Sequence, residues 1–302
     1  MPSPRGGRRR YRKEGRRPIP YLFAGPFYAL FALFSIGPIV YAAYLSFFSS
    51  TLTGKTLFAG GRNYLDLFSQ GSFWSSIIGV VVLGVIQVPV MLFIAVFLAV
   101  VIDLGVVRFG SAFRLIYFVP FAIPGVVAAI MWGYVLVPNL SPFDTILGAL
   151  GLGQPNFLGT NFIWPVLGNI LTWEALGYNM LILYTALQAV PPELTEAAVI
   201  DGAGLWKIIR YVRLPMIRGA LVLTGLFSVI ATFQLFTEPD LLRNLTTSIS
   251  SHFTPNMYLY TQAFAGQQVN LAAAGSLVLA VIIVAATAVV FLVSRRRRGA
   301  GT

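Results

Sequence analysis

Cysteine is absent from the 302 residues, which excludes a disulfide framework, a thiolate metal centre and a thiol nucleophile. A single histidine, His252, is present, so histidine metal clusters and histidine-centred catalysis have almost nothing to build on. Charge is scarce as well. Only 10% of the residues are Asp, Glu, Lys or Arg, against roughly 25% in soluble domains. With 57% hydrophobic residues, such a chain cannot cover a surface that faces water. The length alone would fit about two domains, but the composition indicates one membrane domain.

What is abundant is long apolar sequence. Six runs reach or pass the ~20 residues that cross a bilayer as helix: about 21–48, 77–102, 113–137, 162–190, 217–236 and 271–293. The expected fold is therefore an all-α integral membrane protein of six spans, with a transmembrane domain over 18–294. Pro120 and Pro124 in the third run predict a kink. Ahead of the first run, residues 1–17 form a basic arm without apolar periodicity, expected to be disordered. A nucleic-acid-binding tail is the sharp alternative. Beside a span, however, such an arm is a topology determinant that touches anionic lipid, so membrane lipid is the expected partner and nucleic acid is not. The first run is too long for a cleaved signal peptide and ends in no A-x-A site.

Basic residues orient the spans. With both termini in the cytoplasm, every Lys and Arg falls on the cytoplasmic side except Lys55, Arg62 and Arg243, as the positive-inside rule requires. The tail 295–302, with its run of four arginines, lies on the same side.

That orientation places one unusual stretch in the cytoplasm: residues 191–215, PPELTEAAVIDGAGLWKIIRYVRLP. It mixes charge with apolar residues between two nearly uncharged runs. Pro191 and Pro192 end one helix and suit the first turn of another. Leu194, Ala197, Ala198 and Asp201 share a stripe at helical spacing. Glu193 and Glu196 sit where the helix dipole favours acids. Gly202 and Gly204 permit a sharp turn, and a second short helix, 205–213, carries basic residues toward its C-terminal end. Two short helices around a glycine elbow make a knob that fits a partner's groove.

The stretch also resembles the cytoplasmic loop of binding-protein-dependent ABC importer permeases. The family pattern is Glu-Ala-Ala, three residues, Gly, nine residues, then Ile-x-Leu-Pro. Glu196, Ala197, Ala198, Gly202, Leu214 and Pro215 match it, with Val212 in place of the usual Ile. The six-run layout and the stretch LIYFVPFAIPGVVAAIMWGY are similar to the carbohydrate-uptake class, of maltose or glycerol-phosphate type. The segment SPFDTILGALGL departs from that class, where a Gly-x-x-Asn element is common. The resemblance implies two ATPase subunits, a second permease subunit, different or identical, and an extracytoplasmic solute-binding protein. Glu196, Ala197, Ala198, Asp201, Gly202, Leu214 and Pro215 would then form the ATPase-coupling loop. Glu196 would pair with a basic group of the ATPase, and Leu214-Pro215 would fix the exit into the fifth span.

Polar side chains inside the runs are the candidates for a solute path. Glu174 lies midway along the fourth run, where an acid costs roughly 2.5–3.5 kcal/mol and must face protein or water. Tyr178 follows on the same stripe. Gln87, Trp132, Trp173, Asn179 and Gln234 add amides and flat aromatic faces. Sugars need such groups: amides and acids for hydroxyls, rings for the apolar faces of the pyranose. Asn179 is about 140° round the helix from Glu174, so the two need not share a site. The plainer reading is that Gln87, Asn169 and Asn179 join helices. One acid without a basic or histidine partner makes a poor proton relay.

Other motifs carry no function. Gly54-Lys55-Thr56 resembles the end of a phosphate loop, but Ser49 replaces the upstream glycine. Gly151-x-Gly153 lacks its third glycine. Asn139-Leu140-Ser141 and Asn244-Leu245-Thr246 match the glycosylation pattern by chance. No carboxylate pair with a supporting base appears, so no catalytic residue, metal or cofactor is expected and ATP hydrolysis is assigned to a partner. The outer segment 237–270 reads either as a cover over the path or as a solvated linker. The alternatives to an importer subunit are an ion-coupled secondary transporter, for which neither repeats nor broken helices are visible, and a non-transporting assembly protein.

Overall fold

The structure, a computed structural model, describes residues 19–50, 56–138, 140–151 and 153–299. The basic arm 1–17, Lys55, Asn139 and the last three residues lie outside that set. The described chain is nearly all helical. Ile19–Phe31 (α1) and Gly37–Ser46 (α2) are joined by a π-helical turn, Ala32–Ile36. A small antiparallel hairpin follows, Phe48–Ser50 (β1) on Thr56–Phe58 (β2), with Phe48 opposite Phe58. Arg62–Ser69 (α3) leads into the 33-residue Gly71–Asp103 (α4).

The third apolar run is broken rather than kinked. Gly110–Ala122 (α5) and Gly125–Val135 (α6) meet at 96°. Pro124 disfavours helical backbone at the residue before it, and Ile123 is accordingly extended (φ −80°, ψ 126°). The expected kink is corrected to a break, and so is the reading that no span is discontinuous. Pro142–Ala149 (α7) starts at Ser141, whose Oγ accepts the N–H of Phe143 at 3.2 Å. Ile163–Gln188 (α8), Pro192–Ile200 (α9), Leu205–Ile208 (α10), Leu214–Met216 (α11) and Arg218–Phe233 (α12) come next.

The segment after α12 is packed structure, not a solvated linker. It holds Thr237–Leu242 (α13), Pro255–Tyr260 (α14) and a π-helical turn, Thr261–Ala265. Tyr258 is fully buried against Phe73, and its phenol donates to Gln70 Oε1. Val269–Gly299 (α15) ends the described chain and continues as helix into the arginine run. Among the described residues, five helices are long and apolar enough to cross a membrane, or six if the bent pair α5–α6 counts as one span.

Close helix contacts are made over glycine, as expected where packing rather than water drives association. The ring of Trp164 lies over Gly79, where a Cβ would sit 2.6 Å from it. At Gly177, α8 meets α5 so closely that a Cβ would overlap the carbonyl of Tyr117. One buried cluster joins the end of α4 to the end of α8 through Ala95, Leu98, Met180 and Leu183. A second, at the opposite end, joins α8 to the α6 and α13 region through Leu136, Leu167, Ile170 and Leu242. The first rod stands at the edge, with Ser46 its single buried residue among those whose burial is described.

Candidate functional site

Two sites emerge at different depths. The first is the 191–215 stretch. Pro191 caps α9 and Pro192 opens it. The helix closes in a Schellman turn: Ala203 N–H reaches Ala198 O at 2.9 Å and Gly202 N–H reaches Val199 O at 3.0 Å. That turn requires a left-handed residue, and Gly202 supplies it with φ +76°. From Leu205 the chain runs through α10, a π-helical segment Ile209–Arg213 and α11 to the start of α12.

Glu196, Ala197, Asp201, Gly202 and Pro215 are exposed, whereas Ala198 and Leu214 are half-buried. Around the acids stand apolar side chains turned outward: Ile200 is 86% exposed, Trp206 68% and Tyr211 70%. An apolar centre with a charged rim is the anatomy of a protein interface. The inner side is anchored. Ile208 is buried, and Ile209 and Leu214 pack on the cluster of α4 and α8. Arg213 donates to the carboxylate of Asp103 at the end of α4, and Gln188 at the end of α8 donates to the same carboxylate. Asp103 carries no local motif. Its partner lies 110 residues away, so sequence spacing had no means of marking it.

The second site is a cavity of about 480 Å³ at the α5–α6 break, walled by α4, α8, α12 and α13. It brings together five of the seven path candidates: Gln87, Glu174, Tyr178, Asn179 and Gln234. Tyr178 stacks on Phe121, ring centroids 4.5 Å apart and 12° from parallel. The amides are partly engaged in packing. Gln87 Nε2 donates to Thr172 Oγ1 at 3.1 Å, tying α4 to α8. Asn179 is buried, donates to Ala175 O at 3.0 Å and touches Met91 Sδ at 3.3 Å. Glu174 and Asn179 line the same cavity despite their angular separation, because the cavity wraps that side of α8.

Trp132 and Trp173 are not part of it. They meet edge-on at 5.8 Å, and Trp132 lines a separate cavity of about 300 Å³ with Phe143, Phe157 and Phe162. A second acid is part of it. Glu238 of α13 approaches Gly125 at the head of α6, its Oε1 2.7 Å from where a Cβ would stand, and Glu174 Oε1 lies 3.8 Å from the same point. Sequence reading put Glu238 in an outer loop because it follows the end of an apolar run. The one available signal was its i+4 spacing from Gln234. Glu174 Oε1 is buried and has no hydrogen-bond partner among the described residues.

Residues 91–299 match the family of binding-protein-dependent transport system inner membrane components. The chain belongs to this family. The permease is thus a multi-pass inner-membrane transport component, and its family is one of transport subunits rather than enzymes. Among curated relatives, it is 29% identical to the lactose transport system permease protein LacF of Rhizobium radiobacter, covering 81% of this chain and 83% of the relative. It is 33% identical to a probable ABC transporter permease of Pyrococcus horikoshii, over 66% and 70% of the two chains. It is 29% identical to the arabinooligosaccharides permease AraP of Bacillus subtilis, over 88% and 85%. The fold of the permease is that of a bacterial ABC transporter importing the acidic polysaccharide alginate: TM-score 0.80, 22% identity, 92% of this chain and 95% of that one.

Proposed function

We propose that the permease carries a sugar across the membrane as one subunit of an ATP-driven importer, and that the 191–215 loop is where ATP hydrolysis acts on it. The relatives named for lactose, arabinooligosaccharides and diacetylchitobiose support the substrate class. The observation that carries the mechanical role is the bent helix pair: exposed and apolar on its outer side, locked by Schellman bonds at Gly202, and tied through Arg213 to Asp103 and Gln188. A partner that pushes on Trp206 and Ile200 pushes through that joint on the ends of α4 and α8. Both helices wall the cavity, so the push changes the cavity's opening. Glu196 faces outward, available to a cation on the ATPase.

Both termini and the loop are cytoplasmic in this reading, and two ATPase subunits dock there. A second permease subunit completes the path. A solute-binding protein docks at the opposite end, as suggested by the alginate transporter solved with its oligosaccharide-bound periplasmic protein. The domain division follows: the arm 1–17, the transmembrane body 18–294 with the loop inside it, and the tail 295–302. Within the cavity, Tyr178 stacked on Phe121 offers a sugar a ring face, and Gln234 and Glu174 offer hydroxyl partners.

The test uses the natural absence of cysteine. Lys207→Cys is expected to react with an impermeant maleimide in inside-out vesicles and not in intact cells. Reconstituted with its ATPase and binding protein, the permease is expected to accumulate labelled oligosaccharide only with ATP. Labelling from outside, or uptake driven by an ion gradient without ATP, overturns the reading.

A further inference from the structure

We propose that the cavity at the broken span discriminates by charge: it admits neutral or amine-bearing sugars and rejects sugars that carry a carboxylate. This rests on the reading that the sugar passes through this cavity. The fold does not decide the matter, since the same fold serves a transporter of an acidic polysaccharide. The lining decides it. Two of the residues that wall the cavity are acids, Glu174 and Glu238, and none is Lys or Arg.

The two carboxylates converge. One oxygen of each lies within 4 Å of a single point, the place a Cβ on Gly125 would occupy. Gly125 therefore has a steric reason to be glycine, because a methyl group there would displace Glu238. The head of α6 points at the same place and contributes only about half a positive charge, less than a single carboxylate carries. The rest of the wall is apolar, aromatic or neutral amide and hydroxyl: Met91, Phe121, Tyr178, Ser228, Thr232 and others. In such surroundings a unit charge is felt more strongly than in water. A uronate entering this space would meet like charge, with no cation among this chain's described lining residues to pair with. A hydroxyl finds acceptors, and an ammonium finds a counter-ion.

The arrangement makes Glu238 a specificity residue, and the break in the third span the device that exposes it. Continuous helix through Ile123 and Pro124 would bury the head of α6 in backbone hydrogen bonds and remove the open corner at Gly125.

The assembled transporter tests this. Ser228 lines the cavity, and Ser228→Cys puts one thiol into a chain that has none. Its modification is followed on this chain by mass, using methanethiosulfonates of similar size bearing a trimethylammonium or a sulfonate group. Rates are normalised to those with a free thiol. The cationic reagent is expected to react at least about tenfold faster, a ratio worth about 1.4 kcal/mol, and the ratio is expected to fall toward one when Glu174→Gln and Glu238→Gln are added. A ratio near one at the outset, a preference for the sulfonate, or a ratio untouched by the glutamines overturns the proposal. Ala231→Cys on the same wall repeats the measurement should Ser228→Cys fail to assemble. Uptake of a labelled neutral disaccharide by the modified protein, compared with its unmodified self, tests the route separately. Charge preference with unimpaired uptake would mean that the cavity sorts ions as described but is not the sugar's path.

Discussion

Replacing Arg213 by alanine strands the Asp103 carboxylate at the joint between the loop and the transmembrane body. The Asp103 side chain is 6% exposed and that of Arg213 is 20% exposed. Removing one partner of a buried pair costs about 3–5 kcal/mol, because the charge left behind has lost its compensation. Gln188 still donates to Asp103, which places Arg213→Ala at the lower end, about 3 kcal/mol. Asp103→Asn should be milder, about 1–2 kcal/mol, since Arg213 can turn its head toward water along its aliphatic stem. Removing both charges removes the uncompensated group, so the double variant should cost about 2 kcal/mol less than the sum of the two. Unfolding of the assembled transporter in mixed micelles measures these differences. The ratio of stimulated to basal ATP hydrolysis measures coupling, and it should fall in both single variants. Additive costs in the cycle, or an Arg213→Ala protein indistinguishable from the parent, would refute the anchor.

Further outcomes are expected elsewhere. Gly202→Ala meets no atom within 4 Å, so its cost is the left-handed backbone alone, about 1–2 kcal/mol; the protein should insert normally while ATPase coupling drops. Glu196→Lys should leave insertion unchanged and weaken copurification of the ATPase, with retained binding and uptake contradicting the docking role. Gly177→Ala forces α5 and α8 apart at Tyr117; it should reduce the yield of folded protein sharply and lower its thermal midpoint in detergent, whereas Gly219→Ala, with open space around it, should not. Gly125→Ala should preserve yield and reduce uptake by displacing Glu238.

Much of this architecture was readable in advance, for a physical reason. A bilayer demands long apolar helices, and these announce themselves in composition. The 191–215 loop was equally plain because its chemistry is local: two prolines, first-turn acids and a glycine elbow within 25 residues. What depended on distant partners was hidden. Pro120 and Pro124 marked a bend, but the break also needs room for α6 to turn aside, which Gly133 provides by lying against Leu242 and Leu245. Asp103 and Glu238 looked ordinary because their partners, Arg213 and the corner at Gly125, are more than a hundred residues off. The segment after α12 stayed open between a cover and a linker because its polar residues outnumber its apolar ones. Tyr258, Met257 and Leu259 nonetheless take it into the core.

The placement of the first rod has a practical corollary. It is moored at one end. Asn63 Nδ2 holds Ser46 O at 2.7 Å and Phe48 O at 2.8 Å, and Asn270 Nδ2 holds Leu45 O at 3.0 Å. Among the described residues, no side-chain hydrogen bond or ion pair ties Ile19–Phe31 to another helix. A tilt of that half of the rod in the lipid would leave the cavity around Glu174 in place, because none of its lining residues belongs to α1. A fluorophore fixed near Leu22 would therefore report the tilt of the rod in the bilayer and stay silent about turnover. One on α8 or α13 would do the reverse.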